Sequence, residues 1–335
     1  MRFSILIPAY NAERTLQRAV ESVLANGFDD FEVLICDDGS TDRTFQVATA
    51  LSDSRIQVLR NKSNMGGIVT RNRLARESRG EYVIWLDADD EIDSRFLETS
   101  DCILRKRPEA GLIHFKWRSI HPDGSQRLMR HEVCELSSLK DIAELWFRKV
   151  GRFYLWSNCI RRDVMLKSLP LDVRQPLDDV FYALDVHLNA GTVIQPDTPP
   201  MYSYHRGSGY WDGGDRCSPV RLHMEMLMRR DEMAWNMLVL RRHGLLHMEG
   251  KVPSVCDIGR LRKRMQGLSR ENERSSLLVE FDRWFESDGF PTNETLRLVE
   301  MGGGGDLSWF GKSESMEGDS NGLDHTVGKR EQITE

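Results

Sequence analysis

The chain is short of the features that mark special classes of protein. Its six cysteines lie far apart, without the close pairs of a zinc site or the density of a disulfide scaffold, and read as reduced, mostly structural thiols. No apolar run approaches the roughly 18 to 20 residues of a membrane span. The apolar opening at residues 3–7 is too short for a signal peptide and is cut off by Pro8 and Asn11. The expected location is therefore cytoplasmic, which leaves the sequons at Asn61 and Asn293 unused. Basic residues are not in excess: a net charge of -6 gives no general attraction to nucleic acid. There is no internal repeat and no P-loop, since Gly311-Lys312-Ser313 has the wrong glycine spacing and no strand before it. His243 and His247 have the spacing of a zinc pair, but Gly244 intervenes and no acid lies between them, so surface histidines suffice.

What the chain has is length, patterning and clustered acids. With 335 residues, 40% of them apolar, it can bury one large core and carry a smaller appendage. The first hundred residues alternate apolar runs with helical spacing. Strands are expected at 3–7, 31–36, 56–59 and 82–86. Between them Leu16, Val20, Val23 and Leu24 define a helix before Gly27, and further helices follow at 44–51 and 68–78. Such alternation implies right-handed crossovers and a mostly parallel sheet, whose ligands collect at the carboxyl ends of the strands. Beyond residue 110 a strand is expected at 111–117, a turn at His121-Pro122-Asp123-Gly124, helices at 137–150 and 177–189, and a strand at 202–205. A glycine-rich, mobile loop at 207–214 closes the catalytic domain, residues 218–300 read as helical, and the polar, glycine-rich stretch from 302 reads as disordered.

Asp87-Ala88-Asp89-Asp90 ends the apolar run Tyr82-Val83-Ile84-Trp85-Leu86. A bare D-x-D is usually a strand-ending turn. Here three carboxylates crowd within four residues and raise one another's pKa, an arrangement that a divalent cation relieves; hard oxygen donors suit Mg2+ or Mn2+. Asp37-Asp38-Gly39-Ser40-Thr41-Asp42 follows the second strand, with Ser40 or Thr41 available to cap the next helix. A carboxylate held at that edge can also accept an N–H from a base such as uracil, with Tyr10 offering a flat face and Pro8-Ala9 a close backbone approach.

These segments, with Phe3 through Glu13, Thr70-Arg71-Asn72-Arg73 and Gly80 through Asp90, resemble in order and spacing the family 2 glycosyltransferases of the GT-A fold over residues 1–110. The resemblance continues more weakly to about residue 208. It implies an α/β fold with a Rossmann-like, mostly parallel central sheet flanked by helices and a C-terminal helical appendage. The catalytic domain is expected at 1–215, a helical region at 216–300 and a disordered tail at 301–335.

By the same resemblance, Pro8, Ala9, Tyr10 and Asp38 hold the nucleotide base, Glu13 and Arg71 lie near ribose or diphosphate, and Asp87 with Ala88 contacts the donor. Asp89 matches the metal-binding aspartate. Leu177-Asp178-Asp179-Val180-Phe181 resembles the paired-acid motif whose second acid, Asp179, deprotonates the acceptor. The usual glutamate is Asp178 here, which leaves open which of the two acts, and a helix-start acid stabilised by the macrodipole is the plainer alternative. His205 and Arg206 stand where a metal or diphosphate contact occurs in relatives, or at a solvent edge. Trp156-Ser157-Asn158 with Arg161-Arg162-Asp163 resembles a segment near the acceptor side, or Trp156 is core. Basic residues between 251 and 274 form either a solvated helix face or a peripheral membrane contact facing a lipid-linked acceptor.

The expected activity is inverting transfer of a sugar from a nucleoside diphosphate sugar, UDP-linked by preference, to a hydroxyl of a glycan or lipid-linked acceptor, with Mn2+ or Mg2+. The absence of a Q-x-x-R-W signature and of spans argues against a processive synthase. A sugar-nucleotide pyrophosphorylase would want a glycine-rich N-terminal loop in place of Pro8-Ala9-Tyr10-Asn11. A binding protein that keeps the fold without turnover is the rival from another class.

Overall fold

The computed structural model describes residues 1–129, 131–148, 154–169, 180–207, 218–252 and 258–285. Its N-terminal strands β1 (Phe3–Ala9), β2 (Phe31–Asp37), β3 (Ile56–Arg60) and β4 (Tyr82–Trp85) are parallel. Every residue of β2 and β4 is buried, the pattern of strands covered on both faces. Helices α1 (Leu16–Leu24), α2 (Thr44–Ala50) and α3 (Gly67–Glu77) make the crossovers.

The remaining strands are β5 (Glu91–Ile92), β6 (Ala110–His114), β7 (Trp117–Ile120), β8 (Gln126–Leu128), β9 (Cys134–Leu136), β10 (Asn158–Arg161), β11 (Thr192–Gln195) and β12 (Tyr202–His205). The large sheet has eight strands in the order β3-β2-β1-β4-β10-β6-β11-β9, of which only β10 and β9 run against the rest. A smaller sheet runs β5-β12-β7-β8.

The apolar stretch expected as one strand at 111–117 is therefore two, β6 in the large sheet and β7 in the small one. Phe115 N donates to Ser157 O, and Lys116 O accepts from Met201 N, where the chain changes sheets. Period-2 patterning specifies a strand but not its partner, so the break was invisible beforehand. The turn at residues 121–124 is present, with Gly124 at φ +79°.

Side-chain alternation divides the core. Leu6, Leu34, Val83 and Trp85 face one way, and Ile5, Ile7, Val33, Ile35 and Ile84 the other, where α1, α2 and α4 (Phe96–Lys106) cover them. The first face takes α3, α5 (Leu139–Phe147), α6 (Arg162–Lys167), α7 (Val180–Asn189) and α8 (Pro219–Arg242). Pro219 sits in the first turn of α8, and Ser218 Oγ accepts from Arg221 N at 3.4 Å. A 3-10 helix (Leu246–Lys251), α9 (Ile258–Gln266) and α10 (Glu271–Trp284) follow.

Leu261 and Met265 of α9 are buried in this core, while Arg262 pairs with Asp282 and Arg264 with Glu225. Of the apolar residues in the basic stretch, Leu261 and Met265 are thus spent on the protein itself. His243, the first of the supposed surface histidines, is instead bonded to the buried Asp185 of α7, Nε2 to Oδ1, at 2.9 Å. No helix of the described residues is long and apolar enough to cross a membrane. Cys36, Cys102, Cys134 and Cys159 are free thiols.

A buried histidine cluster joins β6 to α7. His114 Nδ1 lies 2.8 Å from Asn158 Oδ1, and His187 Nδ1 lies 2.6 Å from Ala183 O. Burial pushes His114 down to about 3, helped by His187 and opposed by Asn158, and pushes His187 down to about 4. Both fold neutral, so their stabilising share is complete above the unfolded histidine range, about 6.5, and is lost as pH falls toward the folded values. Urea midpoints should accordingly drop steadily between about pH 6.5 and pH 4. His187→Leu should flatten that decline; an unchanged slope would show that the buried imidazole is not its source.

Candidate active site

Where parallel β2, β1 and β4 end side by side, three loops meet. β1 delivers Pro8 and Ala9, then the half-exposed Tyr10. Asn11 follows at φ +50°, a left-handed conformation that asparagine tolerates. Its Oδ1 accepts from Thr41 N at 3.0 Å, and its own N–H donates to Ser40 Oγ at 3.0 Å. Ala12 N donates to Thr44 Oγ1 and Glu13 N to Asp42 Oδ2, at 2.7 and 3.1 Å. Glu13 in turn accepts from Arg43 N and Nε at 3.0 and 3.2 Å.

The loops after β1 and β2 are therefore laced together by most of the polar residues of the second motif. Neither Ser40 nor Thr41 caps α2. Ser40 Oγ is committed to Asn11, and Asp42 Oδ1 accepts from Thr44 N at 2.9 Å at the start of that helix. Burial raises the Asp42 carboxyl, but its bonds from Thr44 and Glu13 outweigh this and hold it below the usual range.

Asp37 and Asp38 part company. Asp37, fully buried, meets Arg60 Nε at 2.9 Å and accepts from Ser40 N. Asp38 N donates to Ala9 O, and its carboxylate accepts from Asn61 Nδ2 at 2.7 Å, Met65 N at 2.9 Å and Gly66 N at 2.9 Å. Loop 61–66 rests on Gly39, which has φ +69°; a Cβ there would stand 2.4 Å from Ser63 C. That close approach and the positive φ both require glycine.

The acidic turn after β4 sorts its carboxylates by environment. Asp87 Oδ1 receives Arg71 Nη2 at 2.7 Å, and the Arg71 guanidinium lies over the Trp85 ring at 5.2 Å. Asp90 is fully buried: Oδ2 accepts from Tyr202 Oη–H at 2.8 Å and Oδ1 from His205 N at 2.8 Å. Burial, followed by the charges of Asp89 and Asp87, raises its carboxyl well above the usual range. Tyr202 Oη also accepts from Asp87 N at 3.3 Å, so one hydroxyl ties both ends of the turn to β12.

Asp89 is half-buried, and its backbone carbonyl accepts from Arg18 Nη2. His205 Nε2 lies 2.7 Å from Glu91 Oε1. Burial lowers the His205 imidazole, and Arg18 adds to the effect against Glu91. Arg206 is exposed, its guanidinium 5.7 Å from the Tyr204 ring centre.

Trp156 is core. It stacks on Tyr154, Tyr202 and Tyr204 at 4.4, 4.8 and 5.5 Å between ring centres. Asn158 Nδ2 donates to the carbonyls of Tyr154, Leu155 and Trp156, and Arg161 pairs with Asp163. Trp156 and Asn158 are thus engaged in packing and in local backbone hydrogen bonds.

The parallel register brings Pro8, Ala9, Tyr10, Asp38, Asp87, Ala88 and Asp89 to one edge, with Glu13 and Arg71 beside them. Asp38 and Asp89 follow strands two places apart, so about 10 Å of sheet lies between them. Asp178, Asp179 and residues 208–214 lie outside the described residues. Among the described residues no group of three acid, histidine or cysteine side chains could hold a metal by itself. Asp89 beside Asp87 nevertheless fits Mg2+ or Mn2+, which bind through one or two carboxylates and complete their shell with phosphates and water.

Sequence reasoning missed Tyr202, Asn61 and Arg18. Each acts across a long sequence separation, and a tyrosine inside an ordinary strand pattern carries no local signal.

A large, mostly parallel sheet with a carboxylate turn at its strand ends, together with a second small sheet, is a GT-A architecture. The fold is similar to that of the Staphylococcus aureus TarS 1-349 structure in complex with UDP-GlcNAc, with a TM-score of 0.56 at 17% identity over 96% of this chain and 93% of that one. Residues 4–100 match Glycosyl transferase family 2. The chain is 39% identical over 87 residues to the Escherichia coli UDP-Glc:alpha-D-GlcNAc-diphosphoundecaprenol beta-1,3-glucosyltransferase WfaP, covering 26% of this chain and 35% of that protein. It is 27% identical over 211 residues to the cholesterol galactosyltransferase of Borreliella burgdorferi, covering 57% of each. The chain thus spans about a third of the length of the first of these relatives.

Tyr202→Phe removes the donor to buried Asp90 and the acceptor for Asp87 N–H. It should cost about 1 to 3 kcal/mol, read as a lowered urea midpoint, although the ring stack with Trp156 is kept. A variant as stable as the parent would mean that this hydroxyl is not what holds the turn.

Proposed function

We propose that this chain is an inverting glycosyltransferase that moves a sugar from a nucleoside diphosphate sugar, UDP-linked by preference, to a hydroxyl of a glycan or lipid-linked acceptor. The observation that carries the reading is the shared edge. A base-reading carboxylate after β2 and an acidic turn after β4 lie at the same end of the parallel sheet, on either side of β1 with its aromatic ring, and an arginine pairs with Asp87.

In this reading the base lies against Tyr10 and the Pro8-Ala9 backbone and donates an N–H to Asp38. Glu13 and Arg71 stand toward ribose and diphosphate, and Asp87 with Ala88 contacts the donor. Asp89, with His205 once its ring leaves Glu91, would hold Mn2+ or Mg2+, which when bound offsets the charge that develops on the departing diphosphate. Asp179 takes the proton of the acceptor hydroxyl as its oxygen forms the new bond to the anomeric carbon from the side opposite the leaving diphosphate, hence inversion.

The same proposal keeps a catalytic domain at 1–215, a helical region at 216–300 and a tail at 301–335. A cytoplasmic enzyme, peripheral at the membrane, suits a lipid-linked acceptor of the kind named for the Escherichia coli relative.

Thermal unfolding with UDP, GDP and TDP sugars, with Mn2+ or with chelator, tests the donor and the metal together. The UDP sugar should raise the midpoint more with Mn2+, because a ligand stabilises the native state in proportion to its affinity. Asp89→Asn should abolish the Mn2+-dependent part. Equal shifts in chelator would count against the cation. Asp179→Asn should keep donor binding and lose roughly 10²- to 10⁴-fold in transfer; absence of turnover in both forms, with binding retained, would favour the binding-protein alternative.

A further inference from the structure

The hydrogen-bond capacity of Asp38 bears on which base the chain accepts, and it rests on the reading of Asp38 as the base-facing carboxylate. A carboxylate offers about four acceptor positions, two on each oxygen. Asn61 Nδ2 and Met65 N already take both on Oδ1, at 2.7 and 2.9 Å. Gly66 N, at 2.9 Å, takes one on Oδ2. A single position remains, on one oxygen of a side chain whose residue is only 4% exposed.

These donors are not free to turn aside. Met65 and Gly66 donate from the backbone of a loop that sits on Gly39 at a distance no Cβ could enter. Asn61 is locked from every side: its N–H donates to Asp37 O at 2.8 Å, its Nδ2 also reaches Thr70 Oγ1 at 3.0 Å, and its Oδ1 accepts from Arg73 Nη1 at 2.7 Å. The arginine fixes which end of the amide faces Asp38, because a guanidinium only donates.

The bases differ in what they bring to such an acceptor. Guanine presents two adjacent donors, the N1–H and an amino N–H, which together need both oxygens of a carboxylate. Uracil and thymine present one imino N–H between two carbonyls. Cytosine turns a ring-nitrogen acceptor toward the same point and is repelled. We infer that loop 61–66, through Asn61, makes Asp38 a single-acceptor reader, so that the chain takes uracil or thymine nucleotides and rejects guanine.

Calorimetric titration of the full chain with UDP, TDP, GDP and IDP in Mn2+ tests this. UDP or TDP should bind at least about tenfold tighter than GDP, the scale of one charge-assisted hydrogen bond. The two pyrimidine arms tell uracil from thymine. IDP keeps the purine size and the imino N–H but lacks the amino group, so it should bind several-fold tighter than GDP. Asn61→Ala frees a position on Oδ1 and should bring GDP level with IDP, whereas Thr70→Val keeps the Asn61–Asp38 bond and should leave the ratio alone.

GDP binding as tightly as UDP, IDP no better than GDP, or an unchanged ratio in a folded Asn61→Ala would overturn the inference while leaving the transferase reading standing. If Asn61→Ala fails to fold, the IDP and GDP comparison on the parent decides. If none of the four nucleotides binds, the transferase reading falls and takes this one with it.

Discussion

Three carboxylates at the end of one strand repel each other, and the structure resolves that repulsion by giving each a different partner. Asp87 takes the Arg71 guanidinium, Asp90 turns inward to Tyr202 and the His205 amide, and Asp89 stays at the half-buried rim. Desolvation is what makes the inward turn workable: a buried acid is held toward its neutral form, where it no longer adds charge to the cluster. Tyr202 couples the arrangement to the small sheet, because its one hydroxyl serves both Asp90 and the Asp87 amide. The aromatic stack under Trp156 then fixes Tyr202 in turn.

The same division of labour runs through the second motif. Asp37 is a buried ion-pair partner, Ser40, Thr41 and Asp42 stitch neighbouring loops, and Asp38 stands at the junction of three loops. Only a minority of a dense polar motif is thus available to a ligand. The remainder satisfies backbone groups that strand-to-helix loops would otherwise bury without partners. Glycine is required where loop 61–66 crosses Gly39, since the contact there is backbone on backbone.

The helices after residue 218 are not an independent layer. Met226, Met233 and Val239 of α8 share a core with Leu6, Leu34 and Trp85 of the central sheet, and Asp185 of α7 is held by Arg242 and His243. The central sheet and the helical region therefore share one packed body of side chains, to which α9 gives Leu261 and Met265.

The amino-acid order alone determined the strand and helix alternation of the first hundred residues, the parallel sheet and the edge that Asp38 and Asp89 share. Apolar runs of period 2 and 3.6 are local properties, and parallel crossovers force strand ends to one side. Tertiary structure alone decided the rest. The run near residue 115 divides between two sheets, and Thr44 N at the start of α2 donates to Asp42 rather than to Ser40 or Thr41. Asp90 leaves the acid cluster for Tyr202, and three donors from loop 61–66 claim most of Asp38. Each of these depends on a partner between 2 and 115 residues away, brought near by packing, and most of them on separations of more than 20. Spacing along the chain names which groups can hydrogen-bond, but only the folded distances say which of the competing partners each one takes.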